Sequence, residues 1–567
     1  MVATAFALAF TATAASAQTL PVRIIAINDF HGHLEPADNS IAVSDPANPG
    51  ATVALRSGGA AFLAARVAQL RAEQPRNIFV SAGDLVGASP LTSALFQDEP
   101  TIEVMNAIGL DLNALGNHEF DHGVRHLLRL AAGGCQTEIV ANRQSCAGID
   151  QRFLGARFPF AAANVVYRDS NQPIVAPTAI KTIDGVRIGF IGAVTRATPG
   201  IVVPSGVAGV RFGSEAEALN RYAKELQAQG VRALIAVVHQ GGETDGGYDA
   251  CTNPRGAIFD IARELDPAIA IVLSAHTHRG YNCVIDGRVI IQGASYGRLV
   301  SVVDIEIDRT NGEIVRQRTH GRNVTVPNGM GADNRLRAAY PPLLPDVKVA
   351  AIVEHYRLLA EPLAQQAVGR VAADFDRHAT AGGDSALGRL IADAHLAATR
   401  TQGAELAFTN PGGVRTDLRA SGKDGIVTYA DAFASQPFGN MLVTLTLTGA
   451  QLKQLLEQQW SAARPERARM LQPSRGFTYT WLANGSHGDR VVENSLKLDG
   501  RAVERDRRYR ITVNNFLADG GDGDRVLRDG TDRVGGPVDV DALTDYLRSS
   551  SASRPLTPDR LPRVTRR

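Results

Sequence analysis

The 567-residue chain has almost no surplus of charge of either sign. Lys and Arg total 59 and Asp and Glu total 58, which leaves a formal net charge of +1. A near-neutral chain lacks the broad basic surface that attracts nucleic-acid polymers or anionic membranes. We therefore expect neither a nucleic-acid polymer nor a membrane surface as its partner.

Long apolar runs are also missing, since no stretch reaches the roughly 18 apolar residues of a membrane-spanning helix. The chain is 44% hydrophobic and 21% charged, a composition typical of folded globular proteins that excludes disorder and fibrous folds. At roughly 150 residues per domain, the length allows three or four domains or two large ones.

Cysteine is scarce, with four residues and no C-x-x-C pair, which argues against a thiolate zinc site or a thioredoxin-like redox centre. Residues 1–17, MVATAFALAFTATAASA, are uncharged and end in A-S-A, which predicts a secretory signal cleaved before Gln18. In an exported protein an even number of cysteines predicts disulfides. Three pairings are open, and we favour the local one, Cys135–Cys146 with Cys251–Cys283.

Short apolar strands alternate with helical patterns from about residue 22 to residue 307. Asn77–Ser81 and Ile269–Ser274 are two of the predicted strands, and Ala60–Glu73 is a predicted helix. This alternation predicts an α/β sheet that is covered on both faces, with ligands gathering at the carboxyl ends of the strands.

Beyond about residue 307 the regular alternation of strand and helix patterns ends. Asn311-Gly312 lies between Ser301–Ile307 and Gly312–Arg316, which predicts a hairpin of those two segments. A helix is expected over Asp346–Gln366, interrupted near Pro362. The predicted organisation is a signal sequence at 1–17, a first domain at 18–335, a linker helix at 336–366 and a second domain at 367–561.

Five polar clusters in the first domain each follow an apolar strand. Their side chains offer oxygen and imidazole ligands without thiolate, a set that suits Zn, Mn, Fe or Co. Seven such ligands can hold two divalent ions if one carboxylate bridges them. The clusters are Asp29-Phe30-His31, Gly83-Asp84, Gly116-Asn117-His118-Glu119, Val238-His239 and Ala275-His276-Thr277-His278.

Each cluster alone has an ordinary explanation. An aspartate after a strand can shape a turn, an Asn-His pair can begin a helix, and single histidines can be satisfied in a core. The joint occurrence at successive strand ends favours one metal centre over these separate explanations. Glu119 is expected to cap the helix that follows it.

In this order the clusters resemble the calcineurin-like metallophosphoesterases, whose pattern is D-x-H, G-D, G-N-H-[DE], H and G-H-x-H, with Ala275 here in place of a glycine. The resemblance implies a four-layer α/β sandwich and a dimetal centre. It implies that Asp84 bridges the ions, one held by Asp29, His31, Asp84 and His278, the other by Asp84, Asn117, His239 and His276. It also implies that His118 contacts the phosphoryl group or protonates the leaving oxygen, while Asp121 holds its tautomer.

Three loops of the second domain carry further signatures, at 410–415, 437–440 and 515–523. Phe438 and Phe516 stand among Gly, Pro and Asn residues, and such rings suit the stacking of a planar base. The alternative is that the two rings anchor their own loops to the core.

From about residue 22 to residue 561 the chain resembles the exported 5′-nucleotidase/UDP-sugar hydrolase family, whose second domain also contains a segment like DSALGRLIADA at 384–394. The resemblance implies an α/β (α+β) substrate domain in which Phe438 and Phe516 stack on the base. It implies that Asp522 and Asn440 bind ribose or base edges and that Asn410 and Arg415 bind phosphate or ribose. Arg377 fills one of the family's upstream arginine positions and a nearer arginine is absent, so a nucleotide with few phosphates, or a cyclic one, is expected.

The predicted function is release of phosphate from nucleoside 5′-monophosphates, with UDP-sugars as a second substrate class, by in-line attack of metal-activated water. The protein is expected to be periplasmic or secreted and to act as a monomer on a nucleotide substrate. The main alternative is a 2′,3′-cyclic-nucleotide 2′-phosphodiesterase/3′-nucleotidase. More distant ones are hydrolysis of sulfur-bearing conjugates and a catalytically silent nucleotide-binding protein.

Overall fold

The computed structural model describes residues 18–36, 40–48, 50–137, 143–420, 423–460, 468–551, 553–559 and 561–567. The predicted signal sequence, residues 1–17, lies outside the described residues. Within the described ranges, no helix combines the length and apolar character needed to cross a bilayer.

Two six-stranded sheets pack face to face in the N-terminal half. Side chains such as Ile24, Phe190 and Val237 fill the layer between them. Because both faces of each sheet are covered, the central strands are almost continuously apolar. The first sheet has the order His320–Thr325, Leu299–Asp308, Thr19–Ile27, Asn77–Ser81, Leu112–Ala114, Phe160–Ala161, and the second Gly280–Ile285, Arg288–Gly293, Ile269–Ser274, Ala233–His239, Val186–Val194, Thr178–Ile183.

Helices cover the outer faces of both sheets, which gives the order helix, sheet, sheet, helix and confirms the predicted four-layer sandwich. One outer core is formed with the helices of the first sheet and another with those of the second. The helices on the first sheet are Ala60–Glu73, Glu99–Ile108, Gly123–Ala132 and Val347–Ala364, and those on the second are Glu215–Ala228 and Ala257–Glu264, while Leu91–Ala94 and Asn334–Ala339 are shorter helices of this half.

Parallel pairing brings the loops after several strands to a common edge. Thr19–Ile27 pairs in parallel with Asn77–Ser81, which pairs in parallel with Leu112–Ala114. In the other sheet, Ala233–His239 pairs in parallel with Ile269–Ser274. The five polar clusters predicted from the sequence follow these strands.

The predicted hairpin forms, but its second arm is short. Ile307 bridges Ile314, the Asp308 N–H donates to the Glu313 oxygen at 2.9 Å and the Val315 N–H donates to the Glu306 oxygen at 2.8 Å, while the preceding part of Leu299–Asp308 pairs with His320–Thr325. Asp308 accepts hydrogen bonds from the main-chain N–H groups of Thr310 and Gly312, and a 3₁₀ turn then begins at Arg316. The 3₁₀ turn therefore ends the second arm of the hairpin after Val315.

The helix predicted around residues 346–366 spans Val347–Ala364 and continues through Pro362. The side chain of Asp346 caps its first turn by accepting from the N–H of Val349 at 2.9 Å. The Tyr356 hydroxyl donates to Glu103 of the helix Glu99–Ile108 at 3.0 Å. The helix is therefore packed on the N-terminal half as well as connecting it to the rest of the chain.

The C-terminal half contains a mixed five-stranded sheet and a four-stranded sheet. One of its cores is continuous with the N-terminal half, because Phe96 and Tyr356 pack with Leu387 and Phe433. The five-stranded sheet has the order Gln472–Pro473, Leu406–Thr409, Arg508–Asn514, Met441–Thr448, Thr531–Val538, the four-stranded sheet Arg501–Ala502, Lys497–Leu498, Phe477–Trp481, Val564–Arg566, and the helices are Ala386–Thr399, Tyr429–Ser435, Gly449–Glu457, Asn515–Ala518 and Asp539–Leu547.

Four two-stranded pairs complete the described strands: Ser40–Ser44 with Thr52–Arg56, Val165–Tyr167 with Val210–Phe212, Glu243–Asp245 with Thr252–Arg255, and Ala367–Arg370 with Ile426–Thr428.

Both favoured disulfides are confirmed. Cys135 bonds to Cys146 and Cys251 to Cys283, with Cα–Cα distances of 5.4 and 5.1 Å.

Candidate functional site

The predicted histidine and aspartate ligands converge at the common strand edge. The Nε2 atoms of His31 and His278 lie 3.1 Å apart, and His278 Nε2 lies 3.4 Å from an Asp29 oxygen. One oxygen of Asp84 lies 3.6 Å from His31 Nε2 and 3.0 Å from His239 Nε2. His276 shares a group of converging ligand atoms with Asp84 and His239.

Main-chain carbonyls set the tautomers of two of these histidines. The Nδ1 atom of His31 lies 2.8 Å from the Gly87 oxygen, and that of His239 lies 2.8 Å from the Ala82 oxygen. Because a carbonyl can only accept, each Nδ1 carries the hydrogen. The Nε2 atoms are therefore the ones directed towards the carboxylates, as in a metal-binding histidine.

The donor set fits divalent cations. Within the described part of the chain, the buried Oδ1 atom of Asn117 has no hydrogen-bond partner, although buried acceptors are nearly always satisfied. The Asp29 and Asp84 carboxylates are both fully buried. Oxygen and imidazole lone pairs that converge in this way need a cation between them, and Asn117 belongs with them in such a site.

The same groups perturb one another strongly. Burial opposes charge on Asp84 and on His239, but each favours the charged form of the other. The pKa of Asp84 therefore lies well below its usual value, and that of His239 is raised to about 9. For Asp29, burial is outweighed by His278, which lowers the pKa of the carboxyl to about 2. Two buried carboxylates thus stay ionised and available as ligands.

Glu119 holds the ligand loops together, so the expectation that it caps a helix is wrong. One of its oxygens accepts from the N–H groups of Asp84 at 3.0 Å and Gly116 at 2.7 Å. The other accepts from the Leu85 N–H at 2.9 Å and the Asn113 side chain at 3.3 Å. The following helix begins after His122 without a side-chain cap, because the carboxylate of Glu119 turns inwards.

The loops that carry Asp84 and Asn117 approach so closely that glycine is required between them. A Cβ atom on Gly116 would lie 2.1 Å from Oδ1 of Asp84, and one on Gly83 would lie 2.5 Å from the Gly116 nitrogen. Several ligands themselves have a left-handed backbone. The φ angles of Asp29, His31, Asp84, His276 and His278 are 49°, 49°, 51°, 77° and 55°, a conformation that clusters at functional sites.

His118 and Asp121 form a pair beside the ligands. Nδ1 of the His118 ring lies 2.8 Å from an Asp121 oxygen, and the main-chain N–H of His118 donates to the Asp84 carboxylate at 2.8 Å. Burial opposes protonation of His118, but Asp121 and Asp84 outweigh it and raise the pKa of the imidazole. Nε2 of His118 is thereby left to exchange a proton with a bound molecule.

Two of the residues predicted to bind substrate lie next to His118. The Phe438 ring stacks on the His118 ring with centroids 5.8 Å apart and an interplanar angle of 16°. The Arg415 guanidinium lies over the Phe438 ring, 5.7 Å from its centroid. A loop of the C-terminal half therefore reaches His118, beside the metal-ligand candidates of the N-terminal half.

Asn410, Asp522 and Phe516 form a second group in the C-terminal half. Nδ2 of Asn410 donates to Asp522 at 3.1 Å, and Asp522 also lies 3.3 Å from Arg469. Phe516 is only 8% exposed and belongs to the core, with its ring against Gly521. The structure thus places Phe516 where it packs its own loop.

Arg377 and Asn440 contact protein groups beside this site. Nη1 of Arg377 donates to the main-chain oxygen of Arg415 at 2.8 Å. The main-chain oxygen of Asn440 accepts from the Asp539 N–H at 2.8 Å. Both residues therefore support the loops of Arg415 and Phe438.

A cleft of about 1690 Å³ lies between the two halves. Its walls include the metal-ligand candidate His276 from one half and Asp522 from the other. The cleft also contains Arg279 and Arg525, both exposed. A small anionic molecule would be able to reach the ligand cluster through this space.

Sequence reasoning missed the loop-holding role of Glu119 and the contacts of Arg469, Asp539 and Arg143. Each acts on a residue distant in sequence, Arg469 on Asp522, Asp539 on the main chain of Asn440 and Arg143 on the main chain of Phe438. Only Glu119 stood inside a recognised pattern, so the other three carried no local signal.

Two family models match the chain. The model described as calcineurin-like phosphoesterase matches residues 22–280, and the model described as 5′-nucleotidase, C-terminal domain, matches residues 364–529.

Relatives span most of the chain. "Endonuclease YhcR" of Bacillus subtilis is 33% identical over 94% of the chain, and "Cell wall protein Lmo0130" of Listeria monocytogenes is 29% identical over 96%. The chain spans 40% of the length of the Bacillus protein and 69% of the Listeria protein. A solved structure, a 5′-nucleotidase precursor from Thermus thermophilus, matches 96% of this chain and 99% of its own with a TM-score of 0.74 and 25% identity.

Proposed function

The chain belongs to the calcineurin-like phosphoesterases that carry a 5′-nucleotidase C-terminal domain, and we propose that it releases phosphate from nucleoside 5′-monophosphates. The observation that carries this proposal is the position of Phe438 and Arg415 against His118. An aromatic ring and a guanidinium beside a phosphoester-hydrolase centre suit a ligand with a base at one end and a phosphate at the other.

The chain's residues divide the work of this reaction. Asp29, His31, Asp84 and His278 would hold one divalent ion, and Asp84, Asn117, His239 and His276 the other. Two such ions supply a polarised phosphoryl group and a water of lowered pKa. His118, oriented by Asp121, would donate a proton from Nε2 to the leaving ribose oxygen.

The C-terminal residues would position the nucleotide. Arg415 offers its planar guanidinium to the phosphate, and Phe438 offers a face to the base. Asp522 and Asn410 would bind ribose hydroxyls, while Arg377 supports the Arg415 loop through that residue's carbonyl. Because Arg377 is already bonded to the Arg415 carbonyl, a single phosphate fits this arrangement better than the two phosphates of a UDP-sugar.

A substrate panel tests this proposal. AMP, UDP-glucose and 2′,3′-cAMP would each be incubated with metal-stripped protein reconstituted with Zn, Mn, Fe or Co. Released phosphate would be measured, and the nucleotide products would be separated by chromatography, because opening of the cyclic diester and cleavage of UDP-glucose release no phosphate by themselves. We expect phosphate release from AMP to exceed that from the other two. Faster hydrolysis of 2′,3′-cAMP would favour the cyclic phosphodiesterase, and AMP binding without turnover at any metal would favour a silent binding protein.

Variants test the assigned residues. Asp84→Asn and His118→Ala should abolish or strongly lower phosphate release, Asp84→Asn with loss of bound metal. His320→Ala, on an exposed position of an edge strand, is the matched histidine control and should behave as the wild type. Unchanged activity in both site variants would refute the mechanism.

We further propose that the protein works outside the cytoplasm as a monomer, with a catalytic domain at 18–335, a linker at 336–366 and a substrate domain at 367–561. The two disulfides support this location, because disulfides persist in oxidising compartments. Fractionation of the producing cells tests the location, and light scattering tests the oligomeric state.

A further inference from the structure

Arg143 lies in the segment closed by the Cys135–Cys146 disulfide. The chain that follows it is anchored on buried groups of the N-terminal half. The Gln144 N–H donates to the Leu95 oxygen at 2.7 Å, and the Cys146 N–H donates to Glu99 at 2.7 Å. The main chain beside Arg143 is therefore held in place from one side.

The guanidinium of Arg143 joins the two sides of the site. Nη1 lies 2.9 Å from Nε2 of His122, and Nη2 lies 3.4 Å from the main-chain oxygen of Phe438. Because arginine can only donate, Nε2 of His122 must accept, so His122 is neutral in this contact. His122 directly follows Asp121, so the contact reaches the catalytic loop.

The Phe438 loop passes closely over the same guanidinium. A Cβ atom on Gly439 would lie 3.0 Å from Nη2 of Arg143. The titratable groups that act electrostatically on Arg143 come from both halves of the protein, Asp98 and Asp121 from one, Asp539 and Tyr429 from the other. One cation thus sits where the substrate loop of one half meets the catalytic loop of the other.

We propose that Arg143 is a positioning residue that holds the loop 437–440 so that the Phe438 ring faces His118. This inference rests on the proposed nucleotide hydrolysis. Among the described residues, Arg143 bonds to His122 and to the Phe438 main chain rather than to the metal-ligand candidates, so it acts on the base through Phe438. The Cys135–Cys146 disulfide, in turn, fixes the segment that carries Arg143.

The two esters AMP and ribose 5-phosphate separate this role from a merely structural one, because they differ only in the base. KM and kcat would be measured for both with full-length, metal-loaded wild type and Arg143→Gln. We expect KM for AMP to rise roughly tenfold, the effect of losing about 1.4 kcal/mol from a charged hydrogen bond. KM for ribose 5-phosphate should stay within about twofold of the wild type.

Two further variants complete the series. Arg152→Gln replaces an exposed arginine of the following loop and should match the wild type with both esters. Arg143→Lys keeps the charge without the two-pronged contact, should raise KM for AMP by less, and supplies the measurement if Arg143→Gln does not fold. Equal losses with both esters, or no change with either, would overturn the proposal.

A Cys135→Ser/Cys146→Ser variant tests the link to the disulfide. It should raise KM for AMP in the same direction and add little to Arg143→Gln, because groups that act through one another are not additive. Full additivity would overturn the link. Wild-type protein that hydrolyses neither ester would refute the proposed function itself, and with it the site that Arg143 serves.

Discussion

Replacing Glu119 by glutamine should cost the N-terminal half about 2–4 kcal/mol of stability in the metal-free protein, because the buried carboxylate accepts hydrogen bonds that an amide cannot all accept. Each Glu119 oxygen accepts two donors, and three of the four are main-chain N–H groups. A glutamine keeps one oxygen and presents an NH₂ group at the other position.

The less damaging orientation places the NH₂ group near Asn113, whose own Oδ1 has no hydrogen-bond partner in the described part of the chain. Asn113 can then turn to accept, and the Leu85 N–H alone loses its acceptor. An unsatisfied buried N–H costs about 1–3 kcal/mol, and the remaining bonds lose their charge assistance. Glu119→Ala leaves three main-chain N–H groups without an acceptor and should cost about 3–9 kcal/mol of stability on the same scale.

The assay is urea unfolding with chelator present, followed by metal titration of each folded variant. Glu215→Gln is the matched control, because Glu215 is equally buried but accepts a single main-chain hydrogen bond, from Arg196 at 2.9 Å. Glu119→Gln should also lower metal affinity, since Asp84 is one of the groups it holds. If Glu119→Gln is no less stable than Glu215→Gln, the carboxylate does not hold these loops together.

Three other outcomes are expected. Asp121→Asn should lower kcat for AMP by roughly 10²-fold with metal content unchanged, because His118 loses the partner that orients its proton. Phe516→Ala should destabilise the C-terminal half by about 3–5 kcal/mol in denaturant unfolding, because the ring is buried in the core. Burial raises the pKa of Asp539 to about 7, so wild-type stability relative to Asp539→Asn should fall as pH rises from about 4 to about 7.

Each of these has a contradicting result. Loss of metal from Asp121→Asn would mean that Asp121 acts on the ligands rather than on His118. A Phe516→Ala protein of wild-type stability but raised KM would favour base stacking over packing. Parallel stability curves for the wild type and Asp539→Asn between pH 4 and 7 would show that Asp539 titrates normally when folded.

Much of the fold could be predicted because buried parallel strands are apolar runs with polar ends. Asn77–Ser81 and Ile269–Ser274 have the predicted bounds, since a covered strand leaves no ambiguity about where it stops. The metal-ligand candidates came from the same signal, as they stand immediately after such strands. Their convergence then follows from parallel pairing, which directs neighbouring strand ends to one edge.

Contacts that depend on tertiary structure could not be predicted. Glu119 stands in a pattern compatible with a helix cap, and only the approach of the two glycine-containing loops shows why it turns inwards. Phe438 meets His118 across 320 residues of chain, and Arg143 meets the Phe438 loop from a segment with no motif. The hairpin after Ile307 could be predicted from its local pattern, but the 3₁₀ turn at Arg316 that shortens its second arm could not.

The left-handed backbone at the ligands has a consequence for the protein's lifetime. Residues held in this region cost about 1–3 kcal/mol each, and Asp29, His31, Asp84, His276 and His278 all adopt it. The backbone of these metal-ligand loops is therefore strained, and bound ions would stabilise it in this conformation. Chelation would remove the ions but leave the backbone strain, so these loops should be the first part of the N-terminal half that a protease can cut. The same backbone conformation that prepares the site for metal should therefore make the metal-free protein more sensitive to proteolysis.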